Sequence, residues 1–317
     1  MQKTLKNKFE ITGIGLHSGK DVTAVVSPAP IDTGIQFKRC DINHCNFTRI
    51  TPYNVSSTQL ATTIECDNFQ ISTIEHFSAA LYGMGIDNAY ISVYGAEIPI
   101  LDGSAKDIID NILKVGIIEQ NKPRKVLEVV KPVSINLDGK TVEIEPYDKF
   151  QVTFELDYDH PIIGKQIYTY NHSEEVFAQE IGLARTFGFK REVEALHSMG
   201  LAKGGSLDNA IVIGDEEGIL NPGGLRVPSE FVRHKILDMF GDLALIGYKI
   251  KGKINAVKSG HQVNNVFARA LLEATNSYII TDEVSNVEEK VSKKESSKVA
   301  DKNLVGKSFI TPSVNLA

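Results

Sequence analysis

Apolar and polar positions along the chain form two series, each placing strands before helices. In the first, alternation in "DVTAVVSPA" (21–29) predicts a half-buried strand, and "GIQFKRC" (34–40) a second, entered through the turn "APIDTG". "STIEHFSAALYGMG" (72–85) has helical spacing, with Ser72 or Thr73 as cap and glycines at its end, and "NAYISVYG" (88–95) follows as a strand. "SAKDIIDNILKVG" (104–116) predicts a helix with Ser104 as N-cap, Ile108, Ile109, Ile112 and Leu113 on one face, and Gly116 as its stop.

The polar, proline-containing stretch "EQNKPRK" (119–125) looks like a joint between domains. A second series follows, with strands at "KVLEVVKPVSI" (125–135), "KTVEIEP" (140–146) and "FQVTFELDYD" (150–159), then a helix near Ser173–Gly182. "SEFVRHKILDMFGDLALIG" (229–247) is helical, "GKINAVKS" (252–259) extended, and "HQVNNVFARALLEAT" (261–275) a final helix. Strands clustered before helices in each half point to an α+β fold and not to a doubly wound parallel sheet. The expected domains are 1–120 and 121–281, followed by a charged, Ser- and Lys-rich tail (282–317) too poor in large apolar groups to offset its ordering entropy. A faint internal repeat supports two similar halves. Each has a histidine early on an apolar-faced helix, then a strand, then a small-residue loop about 27 positions on.

Composition narrows the class. The 317 residues are 42% hydrophobic and 23% charged, as in a globular protein of two domains or one large one. The net charge of −6 gives no electrostatic case for nucleic-acid binding. No apolar run approaches the roughly 18 residues of a membrane span, and "MQKTLKNKFEITG" has no secretory h-region. Three cysteines, Cys40, Cys45 and Cys66, an odd count, fit a reducing, cytoplasmic setting. Cys40, His44 and Cys45 make only half a structural zinc site, because no second pair stands at matching spacing.

The helix at 229–247 carries His234, Asp238 and Asp242 four residues apart, within roughly 80° of arc at the α-helical 100° per residue. Ile236, Leu237, Met239, Phe240 and Leu243 fill the other side, so the stripe is either a wet face or a His-x-x-x-Asp metal pair with a third carboxylate one turn on. Two further clusters fit the second reading: Glu75-His76, and "KSGH" with Lys258, Gly260 and His261 at a helix start. A catalytic zinc site takes three protein ligands and leaves a position open, and His76, His234 and Asp238 supply two imidazoles and a carboxylate. Glu75 could then take a proton from water, His261 give one to a leaving amine, and Asp242 hold that histidine. The chemistry expected is metal-assisted hydrolysis of an amide or ester.

The chain resembles the bacterial UDP-3-O-acyl-N-acetylglucosamine deacetylases, zinc amidases of the committed step of lipid A synthesis. The resemblance runs from Thr4 to about Ala274 and is carried by "TGIGLHSGK", "PAPIDTGI", "LATT", "ISTIEHFSAALYGMGIDNAYI", "PILDGSA", "ARTFGF", "GGSLDNAIV", "EFVRHKILDMFGDLALIG" and "KSGHQVNN". It implies His76, His234 and Asp238 as zinc ligands, Glu75 as general base, His261 as general acid and Asp242 as its carboxylate partner. Thr186 would bind the developing oxyanion, and Lys235 would assist with substrate and charge. The implied fold is two similar two-layer α/β sandwich domains packed through their helices, each with a small insert. The second insert, about Phe187–Val212, would line a passage for an acyl chain with Val193, Leu196, Leu201 and Ala202, unless these simply pack in the core. Leu16 and Phe187 would touch that passage, and Lys258 and Gly260 the nucleotide. The reading implies a small acylated UDP-sugar as partner, one zinc ion (ferrous iron suits the same donors), and a monomer. Its rivals are a zinc amidase for another acylated sugar-nucleotide and a non-catalytic binding protein of the same fold.

Overall fold

The computed structural model describes residues 1–66 and 68–283; most of the charged tail expected at 282–317 lies outside them. The fold is α+β. Its helices are α1 (Glu75–Gly83), α2 (Lys106–Val115), the short α3 (Glu174–Val176) and α4 (Val193–Ser198), α5 (Glu230–Ala244) and α6 (His261–Glu273).

The first half builds a five-stranded sheet in the order Phe9–Ile14, Asp21–Pro28, Ala89–Tyr94, Ile35–Arg39, Thr48–Arg49. Only the Ala89–Tyr94 and Ile35–Arg39 pair is parallel. The period-2 pattern places Val22, Ala24, Val26, Ala89, Ile91 and Val93 in the core, with Phe77, Ile108, Ile109 and Ile112 of the helices in the same cluster. Leu113, expected on that face, is 56% exposed. Three short strands, Val55–Ser57, Thr63–Cys66 and Phe69–Ile71, form a small separate sheet beside it.

The second half builds a seven-stranded sheet around Lys249–Val257, which pairs in parallel with Lys125–Val129 and Phe150–Asp157 and antiparallel with Lys140–Glu145. "KVLEVVKPVSI" is two strands, not one. The chain breaks at Lys131–Pro132, where proline has no N–H for a ladder, and resumes at Val133–Leu137. Two strands of this sheet were not anticipated. Lys165–Asn171 lies at the sheet edge, and Tyr278–Asp282 pairs antiparallel with Lys125–Val129, so a strand includes Asp282, the residue assigned to the tail. The helix expected at Ser173–Gly182 is α3, capped by the Ser173 hydroxyl, running into a π-turn at Phe177–Ile181. Phe187–Phe189 and Ile211–Ile213 pair in parallel at the base of the 187–212 segment.

Between the two sheets α1 and α5 pack against each other. All nine residues of α1 and twelve of the fifteen in α5 are buried. The contact needs Gly241, because a Cβ there would collide with the Glu75 backbone carbonyl. α1 begins later than its sequence implied. Ile74 is its N-cap, since Thr73 takes φ +58° and spends its hydroxyl on Glu97, and Ser72 spends its own on Thr63. Ser104 sits one residue before the α2 N-cap, Ala105, but its hydroxyl still accepts the Lys106 N–H. Cys40, Cys45 and Cys66 form no disulfide.

Candidate metal centre

The polar stripe of α5 is not wet. His234, Asp238 and Asp242 are buried, and so are Glu75 and His76 at the start of α1. The close α1–α5 approach brings His76 Nε2 to 3.6 Å and His234 Nε2 to 3.3 Å from Asp238 Oδ1, with the imidazoles edge to face at 4.9 Å. Among the described residues this is the one group of three or more His, Cys, Asp or Glu side chains able to hold a metal ion. The Cys40–Cys45 segment contributes nothing to it.

Hydrogen bonding tests whether a cation fits. His234 Nδ1 lies 3.0 Å from the Ala184 carbonyl, which can only accept, so Nδ1 carries the proton and the Nε2 lone pair faces Asp238. Burial holds this imidazole neutral, taking its pKa down to about 3 despite the nearby Asp238. Asp238 is ionised: burial opposes its charge, but with His234 neutral the Lys235 ammonium beside it holds it well below the usual carboxylate range. Lys235 Nζ bonds Asp238 Oδ2 at 2.8 Å, leaving Oδ1 buried with no donor. A lone pair aimed at an ionised, donor-free oxygen 3.3 Å away is repulsive, and a bound cation turns that repulsion into coordination. The donor set therefore fits a metal.

Two titratable groups flank these donors. Burial raises the pKa of Glu75, with His261 and His76 pulling it back, while the Thr62 N–H fixes its Oε2 at 2.9 Å. His261 opens α6, its Nδ1 2.9 Å from Asp242 Oδ2. Burial disfavours its charge, but the Asp242 carboxylate overrides that and pushes its pKa up to about 9. Asp242 is itself held by the Thr62 hydroxyl at 2.5 Å and the Asn264 amide at 2.8 Å. Opposite charges and unequal environments thus part the two groups into a proton acceptor and a proton donor.

Thr62 and Asn264 were not singled out in the sequence. Thr62 lies in "LATT" and Asn264 one turn after His261, so helical spacing could have flagged the latter. The buried Arg185–Glu230 pair, at 2.9 Å, was also missed; Arg185 directly follows Ala184, whose carbonyl meets His234.

The remaining candidates lie at different ranges. Thr186 leads into the Phe187–Phe189 strand, held by backbone bonds to Gly103 and Ile211. The Phe187 ring is 6.3 Å from that of His234 and lies under Lys235 Nζ at 5.3 Å. Lys235 keeps its charge, since Asp238 outweighs the burial that opposes it. Leu16 meets the 187–212 segment directly: its carbonyl accepts the Gly204 N–H, and the His17 carbonyl accepts that of Lys203. Val193, Leu196, Leu201 and Ala202 are half-buried and stand outside the main core. Lys258 pairs with Asp157 at 2.6 Å, and Gly260, the α6 N-cap, faces open space.

Comparison with known proteins bears out the family resemblance read from the sequence. A sequence profile of the UDP-3-O-acyl N-acetylglycosamine deacetylase family matches residues 2–273. A protein of Histophilus somni named UDP-3-O-acyl-N-acetylglucosamine deacetylase is 48% identical over 275 residues, 86% of this chain and 90% of its own. Namesakes from Acidithiobacillus ferrooxidans and Thioalkalivibrio sulfidiphilus are 45% identical over 283 residues and 44% over 273, covering 89% and 86% of this chain and 93% and 90% of theirs. With the profile spanning nearly all the described residues, this chain belongs to the UDP-3-O-acyl N-acetylglycosamine deacetylase family.

Proposed function

We propose that this protein is a zinc-dependent deacetylase that hydrolyses the acetamide of UDP-3-O-(3-hydroxyacyl)-N-acetylglucosamine, the committed step of lipid A synthesis. The observation that carries this reading is the donor-free Asp238 Oδ1 facing two imidazole nitrogens, with a base and an acid beside it. His76, His234 and Asp238 would hold the zinc. Zinc, when bound there, supplies a Lewis acid that lowers the pKa of water toward about 7 and polarises a carbonyl.

The chain's own groups then divide the work. Glu75, its pKa raised by burial, takes a proton from the attacking water, and the Thr62 N–H holds one of its oxygens so that the other is free to do so. His261, kept protonated by Asp242, gives its proton to the sugar nitrogen as the amide C–N bond breaks, releasing acetate and amine. Lys235 and the Thr186 hydroxyl stabilise the negative charge that develops on the carbonyl oxygen. Leu16, Phe187, Val193 and Ala202 would carry the acyl chain, and Lys258 and Gly260 the nucleotide, Lys258 exchanging Asp157 for phosphate. The enzyme would act as a monomer in the cytoplasm on a soluble-headed substrate, without a nucleic-acid partner. No described helix is long and apolar enough to cross a membrane.

Acetate release from UDP-3-O-(3-hydroxymyristoyl)-N-acetylglucosamine, measured before chelation, after it and after zinc restoration, tests the proposal. Release that chelation abolishes and zinc restores is the expected result. No release from folded, zinc-loaded protein would move the assignment to another amide or to a binding role.

A further inference from the structure

A cavity of about 250 Å³ lies on the side of α1 away from the metal centre, lined by Ser78 and Tyr82 of that helix, by the chain leaving α5 and by the edge of the first sheet. Ser78 follows His76 by two residues and so points roughly 200° around the helix from it. The cavity's walls are apolar at Phe37, Ile50 and Tyr248.

Its charges are unbalanced. Both carboxylates that line it are taken: Asp87 by Arg124 at 2.8 Å and Asp32 by Lys122. Lys125 is taken by Asp282. Arg49 and Lys249 line the same space with no carboxylate in ion-pair range among the described residues. Lys249 Nζ has only the Tyr82 carbonyl, at the C-terminal end of α1, and the Tyr82 ring at 3.8 Å. Burial, with Arg124 nearby, drives its pKa down to about 7, while Asp87, Glu174 and Glu283 oppose that only from beyond ion-pair range. Arg49 lies at the mouth against Gly34 and Gly247, where a Cβ would come within 3.1 Å and 2.8 Å of its guanidinium. Ser78 is 4% exposed and its hydroxyl has no hydrogen-bond partner. A buried hydroxyl left without a partner costs stability, as does a cation with no counter-charge; one anionic group in the cavity would relieve both.

We propose that this cavity is a second binding site, separate from the metal centre, for a compact aryl or branched-alkyl carboxylate. The carboxylate pairs with Lys249 and accepts the Ser78 hydroxyl, Arg49 closes over it at the mouth, and the apolar body lies against Phe37, Ile50 and Tyr248. The volume, below the roughly 300 Å³ at which drug-sized sites begin, limits the ligand to about one ring. The proposal stands independently of the deacetylase reading, since none of these residues belongs to that machinery.

The test uses the full-length, metal-loaded protein and two fluorine-labelled probes of one shape, 4-fluorobenzoate and the neutral 4-fluorobenzamide, followed by 19F NMR titration. The expected result is benzoate binding with a Kd of about 1 mM or tighter, benzamide at least about tenfold weaker, and benzoate binding retained after metal removal. Lys249→Met, near-isosteric and free of the buried charge, should fold and lose at least about tenfold in benzoate affinity, with a smaller loss in Ser78→Ala. Equal binding of the amide, an unchanged affinity in Lys249→Met, dependence on the metal, or no benzoate binding at about 20 mM would each overturn it.

Discussion

Replacing Asp242 with asparagine isolates what this carboxylate does for His261. The amide has the same shape and can keep the local bonds, with its oxygen toward His261 Nδ1 and Asn264 Nδ2 and its NH2 toward the Thr62 hydroxyl, which can accept. Only the charge is lost. The pKa of His261 stands at about 9 because Asp242 outweighs the burial that opposes its cation, so without that charge burial, opposed only by Asp238 and Glu75, takes it back toward its ordinary 6.5. The change exceeds two pH units, about 3 kcal/mol of differential stabilisation of the imidazolium. At pH 7.5 a group with a pKa of 9 is roughly 97% protonated and one at 6.5 roughly 9%, so kcat/KM for acetate release falls about tenfold there. The signature is the pH profile. The alkaline limb of kcat/KM moves toward acid by more than two units in Asp242→Asn, while metal content stays that of the unaltered protein. An alkaline limb that does not move would show that His261 is not the group whose protonation the reaction needs, or that Asp242 does not set it.

Other residues give sharper or simpler readouts. Asp238→Ala removes one of the three proposed metal donors and should cost more than the roughly 10–100-fold in affinity that outer partners command, read as metal content after dialysis; full retention would exclude Asp238 as a ligand. Thr62→Val keeps the backbone bond to Glu75 but deletes the donor to Asp242, and kcat should fall about tenfold with KM and metal content unchanged. Gly241→Ala drives a methyl into the Glu75 carbonyl and should destabilise by about 1–3 kcal/mol in denaturant melts while loosening metal, since the two donor helices are pushed apart. His172 is half-buried against aromatic rings, and its burial, with the Lys249 and Arg124 charges nearby, takes its folded pKa down to about 3 from 6.5. Between those values the unfolded chain binds the extra proton, so this group's contribution is present above pH 6.5 and is lost as pH falls toward 3. His172→Phe should therefore flatten the acid limb of unfolding free energy against pH by up to about 1.4 kcal/mol per unit; an unchanged slope would mean His172 is already charged in the native state.

What the sequence could reveal about this site follows from the reach of each local rule. Period-2 runs such as 21–28 and 150–157 became strands because one face of each is apolar, and that pattern needs no knowledge of the partner. Lys165–Asn171 escaped the same rule because it lies at an edge: Ile167, on its outer face, is 57% exposed, so its alternation does not separate core from solvent. Tyr278–Asp282 escaped because it abuts a charged tail and draws its stability from pairing with residues about 150 positions earlier. Capping failed at Ser72 and Thr73 for a similar reason: both hydroxyls have tertiary partners that local preference does not register.

The donors were legible as residue types and spacings, but their burial was not. An amphipathic pattern states which side of a helix is apolar and nothing about what covers the polar side. On α5 that side is covered by α1, which places nothing on water at all. The arrangement depends on Gly241, whose missing side chain lets the Glu75 backbone approach and so sets both His76 and Glu75 against Asp238. Thr62 then links the two sides of the site, its N–H on Glu75 and its hydroxyl on Asp242, so one residue outside any helix holds both the proposed base and the carboxylate partner of the proposed acid, His261. That coupling belongs to the packing of the two halves and appears in no single stretch of sequence. Substitutions at Gly241 and Thr62 should therefore disturb catalysis as strongly as they disturb stability, although neither residue is a proposed metal donor, base or acid.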